Sequence, residues 1–248
     1  METIAVNLIV PKGWNELNDK QLLFVYRLLA DGLPSVDIRT KCLLKWSDTH
    51  VMGVGSGETT FLLKHRGKTF DVPATQVAEV ISLMAWLDDL PTFPVRPSHF
   101  KRHRPLPADF SGVPFEKFLV CDNLYQGYLT TKDEHLLDEM GKVLYDCKVK
   151  AFPSHFRIAF FYWFAALKQY LSNTFPNFYR PAKSEDSNML GSPTQNVAEA
   201  MNAQIRALTK GDVTKEKEIL SLDTWRALTE LNAQAKEYEE LQQKYPTK

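Results

Sequence analysis

Residues 157–171 read RIAFFYWFAALKQYL, and the fold turns on whether this stretch is a membrane span or the central helix of a water-excluding core. Its uninterrupted apolar run, Ile158 to Leu167, supplies only about half of the roughly 20 residues that a bilayer requires. A run that short predicts a buried helix, extending from Ser154 to Ser172. The composition agrees with that choice. Apolar residues make up 44% of the 248 and aromatics 12%, enough for a sizeable core and too much for a disordered chain. The expectation is a folded, soluble protein without a membrane segment.

Working outward toward the N-terminus, two further helices precede this one, PFEKFLVCDNLYQGYL from Pro114 and KDEHLLDEMGKVLYD from Lys132. Residues 91–113 break the pattern: they carry no helical or strand period, several prolines and most of the concentrated positive charge. A structureless stretch of that length inside a compact domain is usually a functional loop or a connector. Before it, TIAVNLIV at the start of the chain puts Ile4, Val6, Leu8 and Val10 on one face, the alternation of a strand. WNELNDKQLLFVYRLLADG follows as a helix capped by Asn18 or Asp19 and stopped by Gly32 and Pro34. DIRTKCLLKW reads as a shorter helix, VMGVGSGE as a glycine-rich connection, and TTFLLKHRGKTFDVP as two strands turning at Arg66 and Gly67. ATQVAEVISLMAWL, residues 74–87, returns to helical spacing with Thr75 as its cap.

Toward the C-terminus, RPAKSEDSNMLGSPTQ is polar and interrupted by Pro181, Gly191 and Pro193, the composition of a linker. A short helix, NVAEAMNAQIRAL, and a turn at TKGD lead to one long helix from about Thr214 to Tyr245. At 1.5 Å per residue it would run about 45 Å. Ile219, Leu222, Trp225, Leu228, Leu231, Ala235, Tyr238 and Leu241 recur along it at spacings of three and four, an apolar stripe. Met201, Ile205 and Leu208 of the short helix offer only a small partner for that stripe. The sequence therefore predicts a predominantly helical α+β fold: a small antiparallel or mixed sheet with packed helices over 1–180, a linker at 181–195, and a helical hairpin or arm at 196–248. Ile219, Leu222, Trp225, Leu228, Leu231 and Tyr238 are the expected partner-binding residues, for another protein or for a second copy of the chain.

The residues that carry chemistry elsewhere have plainer explanations in this chain. GVGSGET, residues 53–59, lacks the Gly-Lys-Ser/Thr ending of a phosphate loop and is followed by a strand, where a phosphate cradle needs a helix N-terminus. His99 and His103 have a metal-like spacing, but flanking Pro97 and Pro105 deny them a helix and no cysteine or carboxylate completes a set. Cys42, Cys121 and Cys147 are odd in number and widely spaced, consistent with reduced thiols; Cys121 and Cys147 sit on apolar helix faces. Acidic neighbours such as Asp88 with Asp89, and Asp138 with Glu139, are explained by solvated charge. No catalytic residue, metal or cofactor is expected. An active site assembled from residues distant in sequence, with His135, His155, Tyr125 and Asp122 as candidates, is the form an enzyme would take here.

The basic stretch RPSHFKRHR, residues 96–104, is the second candidate for a working surface. The formal net charge is zero, so any attraction to nucleic acid has to be local. Arg96, Lys101, Arg102 and Arg104 would meet phosphates, and Phe100 between them would stack on a base. Four charges without a recognisable reading motif make a weak footprint, and a solvated connector or a contact for an acidic partner is the simpler account.

At VPKGWNELNDKQLLFVYRLL, PFEKFLVCDNLYQGYLTTKDEHLLDEMGKVLY, RIAFFYWFAALKQYL and MNAQIRALTKGDVTKEKEILSLDTWRALTEL, the chain resembles uncharacterised proteins encoded in phages and prophages of Bacteroidetes bacteria, which tend to occur among virion and tail-assembly genes. The likeness runs in order along most of the chain and is one of pattern, with no catalytic signature. It implies a structural or assembly role similar to that of a tail assembly chaperone that shields the tape-measure protein. It also implies a protein partner from the phage tail and residence in the bacterial cytoplasm or the phage particle.

Overall fold

The computed structural model describes residues 10–57, 59–180 and 193–244. The strand expected at the start of the chain, apart from Val10, and residues 181–192 of the expected linker lie outside them. Among the described residues the chain forms nine α-helices and one three-stranded antiparallel sheet, a predominantly helical α+β fold. The chain divides into two compact units, Met1–Pro91 and Thr92–Lys248. That division differs from the expected boundaries at 180 and 195: the C-terminal helices belong to the second unit and the sheet belongs to the first.

In the first unit, α1 (Asp19–Ala30) starts at Asn18, whose side chain accepts the Gln21 N–H while the Gln21 side chain accepts the Asn18 N–H. That reciprocal pair satisfies two amide donors that the first turn leaves without partners. Leu22, Val25, Tyr26 and Leu28 face inward from α1, and Ile38, Cys42 and Leu43 do so from α2 (Ser35–Trp46). Trp14 closes this small core, stacked 6.0 Å from Tyr26, with its indole N–H donating to the carbonyls of Trp86 and Asp89. Three strands follow in meander order: β1 (Thr49–Val54), β2 (Thr60–His65) and β3 (Lys68–Pro73). β1 covers VMGV, which the sequence reads as connection. Pairing with β2 overrides the glycine there, and the register slips between Val51 and Gly53 in a bulge. The helix expected over 74–87 divides into α3 (Ala74–Ser82) and a 3-10 turn at Ala85–Asp88, and α3 starts after Pro73 without the expected Thr75 cap.

The second unit is a helical assembly around α6 (Ser154–Thr174), the helix on which the sequence reading turned; Phe160, Trp163, Phe164 and Leu167 are fully buried on it. α4 (Phe115–Thr131) and α5 (Glu134–Tyr145) pack beside it. α5 approaches α6 at Gly141, where a methyl group would lie 2.3 Å from the Phe160 ring and 2.7 Å from the Phe152 ring. α7 (Pro193–Thr209), α8 (Glu216–Ser221) and α9 (Thr224–Lys244) complete the unit.

The single long helix expected from Thr214 to Tyr245 is interrupted at Leu222 and Asp223. The interruption is held by the end of the 91–113 stretch: the Phe115 N–H donates to the Leu222 carbonyl, and the Gly112 N–H donates to the Asp223 carboxylate. The Thr224 N–H and hydroxyl both donate to the Val113 carbonyl, the hydroxyl at 2.7 Å. Asp223 also accepts the Arg226 N–H and so caps α9. Thr224 is fully buried. Thr224→Val keeps its shape and removes the hydroxyl donor, so a loss of about 1 kcal/mol is expected from the shift in denaturant midpoint.

Candidate interaction site

The expected partner-binding stripe is largely spent on the protein's own core. Leu228 and Leu231 are buried, together with Ala227. Trp225 lies against Phe175 at 5.5 Å and Tyr170 at 6.0 Å, and its indole N–H donates to the Asp109 carbonyl at 2.8 Å. Ile219 and Leu222 are half-buried. Only the far end of the stripe faces solvent, with Tyr238 65% and Leu241 57% exposed. The long stripe without an internal cover is therefore not present: beyond the break at Asp223, Trp225 packs on Tyr170 and Phe175 and bonds Asp109, and Leu228 and Leu231 are buried in the same unit.

The basic stretch divides in the same way. Phe100 is buried against Phe152 at 4.6 Å, Phe156 at 4.9 Å and Tyr145, so it cannot stack on a base. Arg96 points its Nε at the Leu106 carbonyl at 2.8 Å and braces the loop. Lys101, Arg102 and Arg104 remain exposed, around a tight turn closed by paired backbone bonds between Phe100 and His103. With Ser98 and His99 they border a shallow hollow of about 550 Å³.

Residues 91–113 are more than a connector. Phe110 is fully buried and stacks on Trp163 at 5.6 Å. The carbonyls of Pro97, Ala108 and Asp109 accept from Tyr145, Trp163 and Trp225. A segment without regular structure thereby finds partners for its buried backbone in side chains.

The enzyme candidates do not converge. Asp122 pairs with Lys168 at 2.8 Å, His135 with Glu139 on its own helix at 3.3 Å, and His155 rests on Phe156. Burial raises the pKa of Tyr125, with the Asp122 charge adding to the effect. Burial likewise holds the three thiols in their neutral form, Cys42 at about 12, with Cys121 and Cys147 also raised. Among the described residues, no group of three or more histidine, cysteine or acidic side chains is placed to hold a metal. The glycine run at 53–57 turns into β2. Gly55 lies where a methyl group would meet Thr60 and Asp71 at about 2.5 Å, and the Asp71 carboxylate takes the Ser56 hydroxyl proton donor at 2.5 Å. A carboxylate seated in the loop is the opposite of what a phosphate cradle needs.

The site that does form is in the first unit, and the sequence reading missed it. Directly paired residues of antiparallel strands project to the same face. The registers Val51–Leu63–Phe70 and Val54–Phe61–Val72 thus put six apolar side chains on one side of the sheet. Of these only Leu63 is buried, while Val51 is 53% and Val54 75% exposed. α2 borders that face along β1 and α3 along β3, leaving a cleft of about 850 Å³ between them. Leu43, Leu44, Val77, Val80 and Ile81 supply its helical walls. α3 has no buried residue at all, although Val77, Val80 and Ile81 point its apolar side into the cleft. Asp71 is the one charged residue of the lining.

Each part was visible in the sequence, as helical spacing in ATQVAEVIS and as alternation in the strands. That the two apolar faces leave a gap between them was not. Among the described residues, no helix is long and apolar enough to cross a membrane. Neither a known protein family, nor a curated protein, nor a solved structure matches this chain.

Proposed function

We propose that this chain is a non-enzymatic protein-interaction component of phage or prophage tail assembly, acting in the bacterial cytoplasm, and that it holds an apolar segment of a tail protein in the cleft of the first unit. The observation that carries this reading is the cleft itself, a mainly apolar concavity with Asp71 as its one charged lining residue, bordered by a helix with no buried residue. Val77, Val80, Ile81 and Phe61 remain partly wet. Completing the burial of such side chains is worth about 1 kcal/mol each, half of the full transfer value. An occupant must present an uncharged face, because Leu63, Phe70, Val72, Val77 and Ile81 offer no partner to a buried charge. The phage setting comes from the sequence resemblance.

The test is capture from a host culture after prophage induction, comparing the native chain with Val77→Asp/Ile81→Asp and with Tyr238→Ala/Leu241→Ala. Recovery of named tail proteins that is lost in the first variant and kept in the second is the expected result. Retention by the first and loss in the second would return the binding element to the end of α9 and overturn the cleft.

The alternative, a nucleic-acid accessory role, rests on the exposed Lys101, Arg102 and Arg104 alone. Three phosphate contacts would make log K fall with log salt at a slope of about −2 to −3. Binding to duplex or single-stranded DNA that follows this slope and weakens on charge reversal at those three positions is its signature; salt-independent or absent binding removes it.

A further inference from the structure

The cleft is bounded on one side by β1, an edge strand of the sheet. We propose that the partner segment held there is extended and adds as a strand to the outer edge of β1, with apolar side chains on the side that enters the cleft and acidic ones on the other. The inference rests on the reading of the cleft as a binding site and names the chemistry of its occupant.

The first observation is the asymmetry of the sheet edges. β1 and β3 are the two edges, and among the described residues no further strand pairs with either. β3 carries Lys68, Asp71 and Pro73, residues that discourage strand addition, whereas Thr49–Val54 contains no lysine, proline or acid. Every residue from His50 to Val54 is exposed, Met52 at 55%. An exposed edge strand with large apolar side chains is a template for a further strand. The bulge does not remove it. Pairing with β2 is regular from Thr49 to Val51, and the extra residue at Met52 returns Val54 to the cleft side of the sheet, opposite Phe61.

The second observation is the contrast between the two faces beside that edge. Side chains of an added strand alternate as those of β1 do. On one side they would lie beside Thr49 and Val51, which line the cleft with Phe61 and Leu63, the arrangement by which extended peptides gain main-chain pairing and side-chain pockets together. On the other side they would lie beside His50 and Met52, at a hollow of about 280 Å³ that Lys64 and Arg66 also line. His50 pairs directly with Lys64, so the two project to the same face. Lys64 and Arg66 are exposed, and Asp48 is the one acid of that hollow. An acidic side chain turned away from the cleft thus meets two cations against one carboxylate. The same charges disfavour a second copy, because pairing two β1 edges would put both basic hollows on one face of the joined sheets, like charge beside like.

The six residues of β1 extend about 20 Å. The occupant is therefore a segment of about six residues in which apolar and acidic positions alternate.

The experiment uses the full chain and three fluorescently labelled synthetic peptides: SVEVEVS, SVVVEES with the same composition and no alternation, and SVKVKVS with the opposite charge. At low salt, where the charge contribution is least screened, SVEVEVS is expected to bind at least tenfold more tightly than either of the others. Lys64→Glu/Arg66→Glu, at two exposed positions, is expected to reverse the preference between SVEVEVS and SVKVKVS, and amide exchange along Thr49–Val51 is expected to slow when SVEVEVS is bound to the native chain. Equal affinity for SVEVEVS and SVVVEES overturns the added strand, and equal affinity for SVEVEVS and SVKVKVS overturns the acidic side. No binding of SVEVEVS at about 1 mM overturns both. A chain that dimerises and loses SVEVEVS as its own concentration rises overturns the proposal in favour of a second copy. The capture experiment keeps the two readings separate. Equal peptide affinities with capture still lost in Val77→Asp/Ile81→Asp remove the strand and leave the cleft, whereas capture indifferent to that variant removes the cleft whatever the peptides show.

Discussion

Asp138→Ala is expected to destabilise the second unit by about 3 kcal/mol, the lower end of the cost of breaking a buried ion pair by removing one partner. For a protein of this size that is a fall of about 6–12 °C in Tm. Asp138 is 3% exposed on α5, and its carboxylate is the junction of three donors. Arg157 of α6 donates from Nε to Oδ1 at 2.9 Å and from Nη2 to Oδ2 at 2.8 Å, and the Phe152 N–H donates to Oδ1 at 2.8 Å. Removing it strands a guanidinium and an amide inside the unit. The loss stays at the low end because Arg157 keeps Glu134 at 2.7 Å. Asp138→Asn keeps an acceptor for Phe152 and loses the charge, so roughly half of that cost is expected.

The same site sets an acid limit. Burial on its own would raise the Asp138 pKa, but the Arg157 and Phe152 hydrogen bonds and the Arg157 charge outweigh it and hold the group below its ordinary 3.8. A depressed folded-state pKa gives stability that is fully present above the unfolded value, near 4, and is lost as pH falls through the folded value. The native chain should therefore lose this contribution below pH 4, and Asp138→Asn should flatten that part of the profile. An unchanged slope in the variant would mean that the pair contributes nothing.

Where a segment's periodicity and its packing asked for the same thing, the fold was legible. RIAFFYWFAALKQYL needed only a length argument to be placed in a core, and Asn18 with Gln21 marked the start of α1 through a local hydrogen-bond pair. Legibility failed where a distant contact decided the outcome. Ile219, Leu222, Trp225 and Leu228 fall every third residue, a spacing tighter than a straight helix needs, but the break at Asp223 is made by Gly112, Val113 and Phe115 more than a hundred residues away. In RPSHFKRHR, Lys101, Arg102 and Arg104 are exposed, whereas Arg96 is turned to the Leu106 carbonyl. The burial of the aromatic between them was not legible, because Tyr145, Phe152 and Phe156, which bury it, lie at a remove in sequence that no local pattern reports. The cleft is the extreme case. Its walls are ordinary amphipathic elements, and only their spacing in three dimensions makes it a site.

Trp163→Ala is expected to cost about 3–5 kcal/mol, the range for truncating a large aromatic in a core, and to loosen residues 91–113 more than the helices. Trp163 is fully buried, with Phe110 stacked at 5.6 Å on one side and Phe164 at 5.5 Å edge-on. Its indole N–H donates to the Ala108 carbonyl at 2.9 Å. One side chain thus supplies both the apolar seat for the loop's central aromatic and the donor for its backbone. Trp163→Phe separates the two contributions. It keeps most of the stacking surface and leaves the Ala108 carbonyl without its donor, so a loss of about 1–2 kcal/mol is expected. Denaturant midpoints give the totals, and amide hydrogen exchange gives the location. Faster exchange at Phe110 and Val113 in both variants, with α4 little changed in Trp163→Phe, would establish that the end of the 91–113 stretch is held in place by this residue. Exchange that rises uniformly through the unit would instead make Trp163 ordinary core filling, and the loop would owe its order to Tyr145, Trp225 and the Asp223 junction.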